Sequence, residues 1–195
     1  DQIQQVLVLR KKSVLPDKIH PLKVDATTPR LGDPRAKVVI VEFADFRCGH
    51  CAVVSPALKK VVRSMKGKAV LYFKPYPLRF RGPNLKACWA ALAAHRQGKF
   101  WPMARLLFAN QDAHTQEGVE KLARKLKLDM DKFRAHLKDV NLAKVLEANK
   151  IEGLRAGLKG TPTIYVNGKK YRMRKDERHF RDRIEEELEL LAAAR

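Results

Sequence analysis

Two cysteines enclose the short motif Cys48-Gly49-His50-Cys51. Two thiols at this spacing can close a disulfide ring and take part in thiol–disulfide exchange. The motif lies between a predicted strand and a predicted helix, so the first thiol faces unpaired backbone N–H groups at the helix start, which favour its thiolate. We therefore interpret Cys48 as the nucleophile and Cys51, flanked by apolar residues, as a buried resolving thiol. His50 can donate a hydrogen bond or positive charge to the Cys48 thiolate.

Two other interpretations of the cysteine pair are weaker. A zinc half-site would need two further ligands. The remaining cysteine and histidines show no second paired spacing: they are Cys88, His20, His95, His114, His136 and His179. A purely structural disulfide across so few residues would be strained. We therefore expect a redox-active disulfide between Cys48 and Cys51, with no metal and no cofactor.

The third cysteine, Cys88, departs from the paired pattern. It shares a predicted helical face with Leu85 and Leu92, which favours a small buried core residue over a redox partner. An exposed Cys88 would instead form mixed disulfides or dimers.

The elements around the motif predict an α/β unit. Residues 37–43 form a nearly continuous apolar run rich in β-branched side chains, which is typical of a central strand buried on both faces. Apolar residues at helical spacing then predict a helix over 52–65, ended by Gly67. A second strand is predicted over 69–73.

Helical spacing continues from Asn84 to about Gly157 and predicts four or five helices, with breaks near positions 98, 112–115, 128–129 and 139–141. The Asn167-Gly168 pair predicts a tight hairpin turn between strands at 163–166 and 169–172. A last helix is predicted over about 176–194. The simplest architecture has an extended lead-in over 1–36, one α/β domain built from 37–81 and 158–195, and an inserted helical subdomain over 82–157.

Three separated stretches carry a resemblance to a known family. They are Gly32 to Cys51, which ends in the cysteine motif; Phe73-Lys-Pro-Tyr-Pro-Leu78; and Gly157-Leu-Lys-Gly-Thr-Pro-Thr163. In this order, with a helical block between the second and third, the chain resembles the thioredoxin superfamily, and more narrowly the bacterial disulfide oxidoreductases of the DsbA type. The resemblance covers about residues 32–195 and implies a thioredoxin-like α/β fold with an inserted all-helical subdomain.

The resemblance also implies roles for residues outside the cysteine motif. Glu42 stands where the superfamily places a buried acid beneath the active-site helix, and burial would raise its pKa so that it could give or take the proton of Cys51. An exposed edge position for Glu42 is disfavoured by its apolar neighbours. Thr161 and Pro162 match the superfamily's cis-proline loop, where the Thr161 backbone would pair with an extended substrate strand. The alternative at this position is a trans proline in an ordinary loop.

Oxidase, isomerase and reductase activities share such a site. The Gly-His dipeptide resembles that of protein disulfide isomerases, and a threonine before the proline resembles the bacterial isomerases. The helical insertion resembles the exported oxidases, and no dimerisation domain is evident. We therefore expect a periplasmic or otherwise extracytoplasmic dithiol oxidase, with isomerase or reductase activity as the alternative. Its expected partners are unfolded or reduced exported proteins and a redox partner protein in the membrane.

The chain's charge supports a hypothesis of another class. Its 195 residues include 41 Lys and Arg against 21 Asp and Glu, for a formal net charge of +20, with the densest cations from Lys169 to Arg183. Such a surface could bind nucleic acid or an anionic membrane. However, 45% hydrophobic residues indicate a folded core, aromatic residues are only 7%, and no nucleic-acid motif is present. We therefore expect no specific nucleic acid, and at most an anionic surface contact through Lys169 to Arg183.

Overall fold

The computed structural model describes residues 18–194. The first part of the predicted lead-in, residues 1–17, lies outside the described residues. Among the residues described, no helix is both long and apolar enough to cross a lipid bilayer.

A five-stranded sheet forms the centre of the α/β part. Its strands are β1 (Arg30–Leu31), β2 (Val38–Ala44), β3 (Ala69–Pro75), β4 (Thr163–Val166) and β5 (Lys169–Lys170). They lie in the order β1-β3-β2-β4-β5, with β2 and β3 parallel and the other neighbours antiparallel. Strand β2 is therefore flanked on both sides, and six of its seven residues are buried, as its continuous apolar character predicts.

Two helices pack together on one face of the sheet. Helix α1 (Gly49–Ser64) follows β2, and the C-terminal helix, labelled α7 (Glu177–Ala193), packs beside it. On this face Val38 and Ile40 of β2 form a core with Leu58 of α1 and Phe180 of α7. Because side chains alternate along a strand, Glu42 points to the same face as Val38 and Ile40.

The helical block between β3 and β4 contains five α-helices. They are α2 (Gly82–His95), α3 (Phe100–Ala109), α4 (Gln116–Lys125), α5 (Met130–Leu137) and α6 (Val140–Arg155), with one short 3-10 turn at Gln111–Ala113. The breaks between them lie where the sequence predicts them. A single apolar cluster joins this block to Phe46, Cys51 and Phe73 of the α/β part. The boundaries of a separate helical subdomain stay a prediction.

The structure has the predicted hairpin turn, an earlier start of the first helix and one additional edge strand. Asn167 and Gly168 both have positive φ, 47° and 75°, as a tight hairpin turn between β4 and β5 requires. Helix α1 begins at Gly49, three residues before the predicted start, because the cysteine motif itself forms its first turn. The described part of the lead-in contains an edge strand that was not predicted: Arg30 and Leu31 pair with Tyr72 and Leu71 of β3.

Candidate functional site

Cys48 lies at the N-cap of α1, between the end of β2 and the first helical turn. Its backbone N–H donates to the Asp45 carbonyl at 3.0 Å, and its own carbonyl accepts from Ala52 N–H at 3.1 Å. The side chain is half-buried, and its Sγ donates to the backbone oxygen of Thr161 at 3.3 Å. This thiol is therefore reachable from solvent and sits beside the unpaired N–H groups at the helix start.

Cys51 lies in the first turn of the same helix and is completely buried. Burial raises the pKa of its thiol well above the ordinary value, and the Asp45 backbone opposes the shift only in part. Both Cys48 and Cys51 are free thiols. The pair is thus asymmetric, with one accessible sulfur and one that favours its protonated form.

Glu42 is buried beneath α1, on the face of β2 that the alternation predicts. The hydroxyl of Ser55 donates to its Oε1 at 2.5 Å, whereas Oε2 has no partner among the residues described. Burial raises the pKa of Glu42 to about 7, against the opposing effect of the Ser55 hydrogen bond. A carboxyl group with this pKa exchanges a proton readily near neutral pH.

The loop that precedes β4 brings Thr161 and Pro162 to the same end of the sheet as Cys48. Strand β4 pairs antiparallel with β2, and Thr163 lies opposite Phe43 near the carboxyl end of β2. The peptide bond between Thr161 and Pro162 is cis. Both residues are half-buried. The backbone of Thr161, 113 positions away in sequence, is thereby placed beside the Cys48 sulfur.

The structure brings Cys48, Cys51, Thr161 and Pro162 together, with Glu42 on the strand beneath the active-site helix. His50 is different, because it is exposed on the solvent side of the first turn. Within residues 18–194 its ring makes no hydrogen bond. Its support of the Cys48 thiolate therefore stays a prediction.

Two residues at the site were missed by sequence reasoning. Ser55 follows Cys51 by one helical turn on the buried face of α1, and this polar residue on an apolar face was the available signal. Asp45 is fully buried directly after β2. Its carboxylate accepts from the N–H groups of Arg47 at 2.8 Å and Leu78 at 2.7 Å, and from the Asn84 amide at 2.6 Å.

The third cysteine, Cys88, lies in the protein core. Cys88 is fully buried in the core shared with the helical block, in agreement with a packing role. Within residues 18–194, no group of three or more His, Cys, Asp and Glu side chains is arranged to hold a metal ion.

The basic segment from Lys169 to Arg183 is partly neutralised. Four of its eight cations lie within 4.0 Å of carboxylates: Lys169 and Arg183 contact Glu187, Arg174 contacts Asp176, and Arg178 contacts Asp182. An anionic contact through this segment stays a prediction.

Comparison with known sequences agrees with the geometry. A sequence model described as thioredoxin matches residues 24–186. A probable disulfide bond formation protein D from Bacillus cereus is 30% identical over 168 residues, which cover 78% of this chain and 76% of that protein. A Na(+)/H(+) antiporter NhaA 3 from Salinispora tropica is 34% identical over 150 residues, 76% of this chain. The chain spans only about a quarter of the length of the antiporter relatives, 23% in that case.

Solved structures share the same fold. BdbD from Bacillus subtilis superposes with a TM-score of 0.72 at 23% identity, covering 89% of this chain and all of that one. The catalytic domain of Proteus mirabilis ScsC gives a TM-score of 0.73 at 23% identity, over 84% and 90% of the two chains. The thiol-disulfide exchange protein alpha-DsbA2 from Wolbachia pipientis gives 0.74 at 22% identity, over 83% and 88%. The chain therefore belongs to the thioredoxin family, with the inserted helical block of its DsbA-type thiol-disulfide oxidoreductases.

Proposed function

We propose that this protein is a dithiol oxidase that introduces disulfides into exported proteins through Cys48 and Cys51. The observation that carries the proposal is the asymmetry of the pair: Cys48 is accessible at a helix N-terminus, and Cys51 is fully buried one turn later. A sulfur at the start of a helix faces unpaired N–H groups that stabilise negative charge, which makes it a good leaving group from a mixed disulfide, so the site would release its substrate as a disulfide.

The first exchange begins with the Cys48–Cys51 disulfide. A substrate thiolate attacks the accessible Cys48 sulfur, forming a substrate–Cys48 mixed disulfide and breaking the bond to Cys51. The electron pair leaves on the Cys51 sulfur, which is buried and favours protonation. In our proposal the proton comes from the Glu42 carboxyl group, whose pKa of about 7 leaves it partly protonated at neutral pH.

The second exchange releases the product. A second thiolate of the substrate attacks the substrate sulfur of the mixed disulfide, and the bond to Cys48 breaks with the electron pair on Cys48. Two electrons have then passed from the two substrate thiolates to the protein, and Cys51 holds the proton given by Glu42, which solvent replaces. A partner protein that carries a disulfide accepts these electrons in turn, and we propose that this partner lies in the membrane.

The surface around the thiols is suited to binding unfolded polypeptides. The backbone of Thr161 lies beside the Cys48 sulfur, where an extended segment could pair with it through main-chain hydrogen bonds. Large apolar side chains are exposed nearby on α1 and on the loop after β3: Val53 at 71%, Leu78 at 47% and Phe80 at 44%. Apolar exposure of this kind is typical of surfaces that bind other chains. We place this activity in the periplasm or another extracytoplasmic compartment, where disulfides persist.

The test is oxidation of a reduced, unfolded ribonuclease in glutathione buffers of graded potential. We expect Cys48→Ser to abolish turnover, Cys51→Ser to accumulate mixed disulfides, and Cys88→Ala to retain activity as the matched control. The same titration gives the reduction potential. A value well above the roughly −270 mV of thioredoxin supports the oxidase, and a value near thioredoxin's contradicts it.

A second substrate separates oxidase from isomerase. Ribonuclease with scrambled disulfides already contains its full complement of disulfide bonds, so it regains activity only if bonds are broken and re-formed. We expect the protein to act on the reduced substrate much faster than on the scrambled one. Faster rescue of the scrambled substrate would favour the isomerase alternative.

A further inference from the structure

A groove outside the thiol site runs between α1 and α3 and encloses about 380 Å³. Its floor and walls are mostly apolar, with one wall from α1 and the other from α3. The described residues that line it include no acid; they are Ala52, Ser55, Pro56, Lys59, Lys60, Arg63, Trp101, Ala104, Arg105, Phe108 and Ala109. The groove is therefore an apolar slot with a basic rim.

Three cations of this rim have no acidic partner among the residues described. Lys59 and Arg63 are one turn apart on α1, and Arg105 stands on the opposite wall. The fourth cation, Lys60, contacts Glu177 of α7 at 2.8 Å. The ammonium of Lys59 lies 5.3 Å from the centre of the Trp101 ring. Burial, followed by repulsion from Arg63 and Arg105, lowers the pKa of Lys59.

Like charges held around an apolar slot, with no acidic partner among the described residues, cost free energy that a bound anion would remove. The cations are spread along α1 and across the groove on α3. Several separate carboxylates would therefore contact them better than a single anionic head group. The apolar lining suits one or two large side chains between those carboxylates. A polypeptide segment can present both in a single stretch.

The groove is also joined to the redox site through α1. Ala52 directly follows Cys51, and Ser55 both lines the groove and donates to buried Glu42. An occupant would therefore contact the helix that carries both thiols, on its Ser55 side. One segment of a substrate or redox partner could bind in this groove while a sulfur of the same molecule reacts at Cys48.

We propose that the α1–α3 groove docks an acidic segment of a partner polypeptide, with its apolar residues in the slot and its carboxylates on Lys59, Arg63 and Arg105. The partner's role as substrate or electron acceptor rests on the proposed function, but the binding itself does not depend on thiol chemistry.

The test uses the full reduced protein and a labelled peptide of about ten residues without cysteine, with central Leu and Phe flanked by Asp and Glu. A twin peptide with Lys in place of each acid is the charge control. We expect the acidic peptide to bind at least about tenfold more tightly, with the difference shrinking as NaCl rises from about 0.05 M to about 0.5 M.

Three variants locate the binding. Lys59→Glu with Arg63→Glu should weaken the acidic peptide about tenfold or more. Lys66→Glu with Lys68→Glu makes the same charge change on exposed residues beyond α1 and should leave the affinity within about twofold. Ala109→Trp fills the exposed end of the groove without changing charge and should also weaken binding, so the proposal can be tested even if the double reversal fails to fold.

Equal binding of the two peptides would overturn the proposal, because charge would then play no part in the binding. Equal loss in the two double variants would also overturn it, because that result means diffuse charge attraction. Binding of phosphatidylglycerol vesicles through Lys59 and Arg63, without peptide binding, would overturn it in favour of a lipid. Exchange with glutathione, measured on the same samples, reports the thiol site separately. A failure of docking is thereby distinguished from a failure of the redox function.

Discussion

At the scale of single residues, two buried acids, Asp45 and Glu42, support the site in different ways. Asp45 accepts three hydrogen bonds and fixes the chain around Cys48. Glu42 accepts only one on Oε1, from Ser55, and its Oε2 has no partner among the described residues. Burial disfavours the charged carboxylate of Glu42 and raises its pKa, and the single hydrogen bond from Ser55 opposes this only in part.

The raised pKa of Glu42 should make the protein less stable as pH increases. Its pKa is 4.5 in an unfolded chain and about 7 here, so the folded state binds the extra proton and stability is lost as pH rises between these values. Glu42→Gln should remove this loss, which corresponds to about 3 kcal/mol. The measurement is urea unfolding of both proteins at pH 4 and pH 8.

Other titrating groups contribute equally to both proteins, so only the difference between them matters. Any change in the free energy of unfolding that the amide causes equally at both pH values also cancels when pH 4 and pH 8 are compared. An unchanged pH dependence in Glu42→Gln would mean that Glu42 titrates normally in the folded protein.

At the scale of elements, the site depends on contacts that join separate segments. Asp45, at the end of β2, binds Leu78 after β3 and Asn84 in the first turn of α2. Helix α6 is held against the α/β part by a close approach at Gly153, where an added Cβ would lie 2.5 Å from a ring carbon of Tyr76. These two contacts tie the helical block to the strands that carry the site.

Asp45→Asn should destabilise the protein by about 2–4 kcal/mol, because the amide offers one acceptor oxygen where the carboxylate offers two, and its NH2 group would face one of the N–H donors that Asp45 now accepts from. The matched control is Asp33→Asn, whose carboxylate also accepts from a backbone N–H two residues on but contacts the exposed Arg35. This change should stay within about 0.5 kcal/mol. Equal effects in denaturant unfolding would contradict the role assigned to Asp45.

Gly153→Ala should destabilise the protein by about 1–3 kcal/mol through overpacking, although alanine favours a helix. Tyr76 has little room to move, because it is buried and its ring packs edge-on against Phe43. Lys144→Ala on an exposed part of α6 is the control and should change stability by less than about 0.5 kcal/mol. Thermal unfolding of the three proteins measures this, and a stabilised Gly153→Ala protein would show that α6 does not approach Tyr76 so closely.

At the scale of the whole molecule, the dominant property is the net charge of +20. The cations are not equivalent, since those of α7 are partly paired with its own acids whereas Lys59 and Arg63 face Arg105 across a groove. The summed repulsion opposes the compact state.

Added salt should therefore stabilise the protein. Raising NaCl from about 0.05 M to about 0.5 M shortens the screening length severalfold and should raise Tm by several degrees. A variant with Lys66, Lys68, Arg172 and Lys175 all changed to Glu should show a weaker salt dependence, because each change lowers the charge by two. A Tm that falls with salt would mean that ion pairs outweigh the general repulsion.

Local features were open to sequence reasoning because they depend on neighbours along the chain. The cysteine spacing, the breaks in the helical block and the Asn167-Gly168 turn all follow from backbone geometry over a few residues. The weak edge strand at Arg30–Leu31 was missed because two residues carry no periodicity. Resemblance, rather than spacing, suggested Glu42, Thr161 and Pro162.

The sequence by itself determined the thiol pair, the alternation of strand and helix, and the excess of positive charge. The tertiary structure decided which distant groups meet: the Thr161 carbonyl at the Cys48 sulfur, Ser55 on Glu42, and the cations of α1 and α3 across the groove. The physical reason is that periodicity encodes which face of an element is buried, whereas the partner on that face is set by how the elements pack.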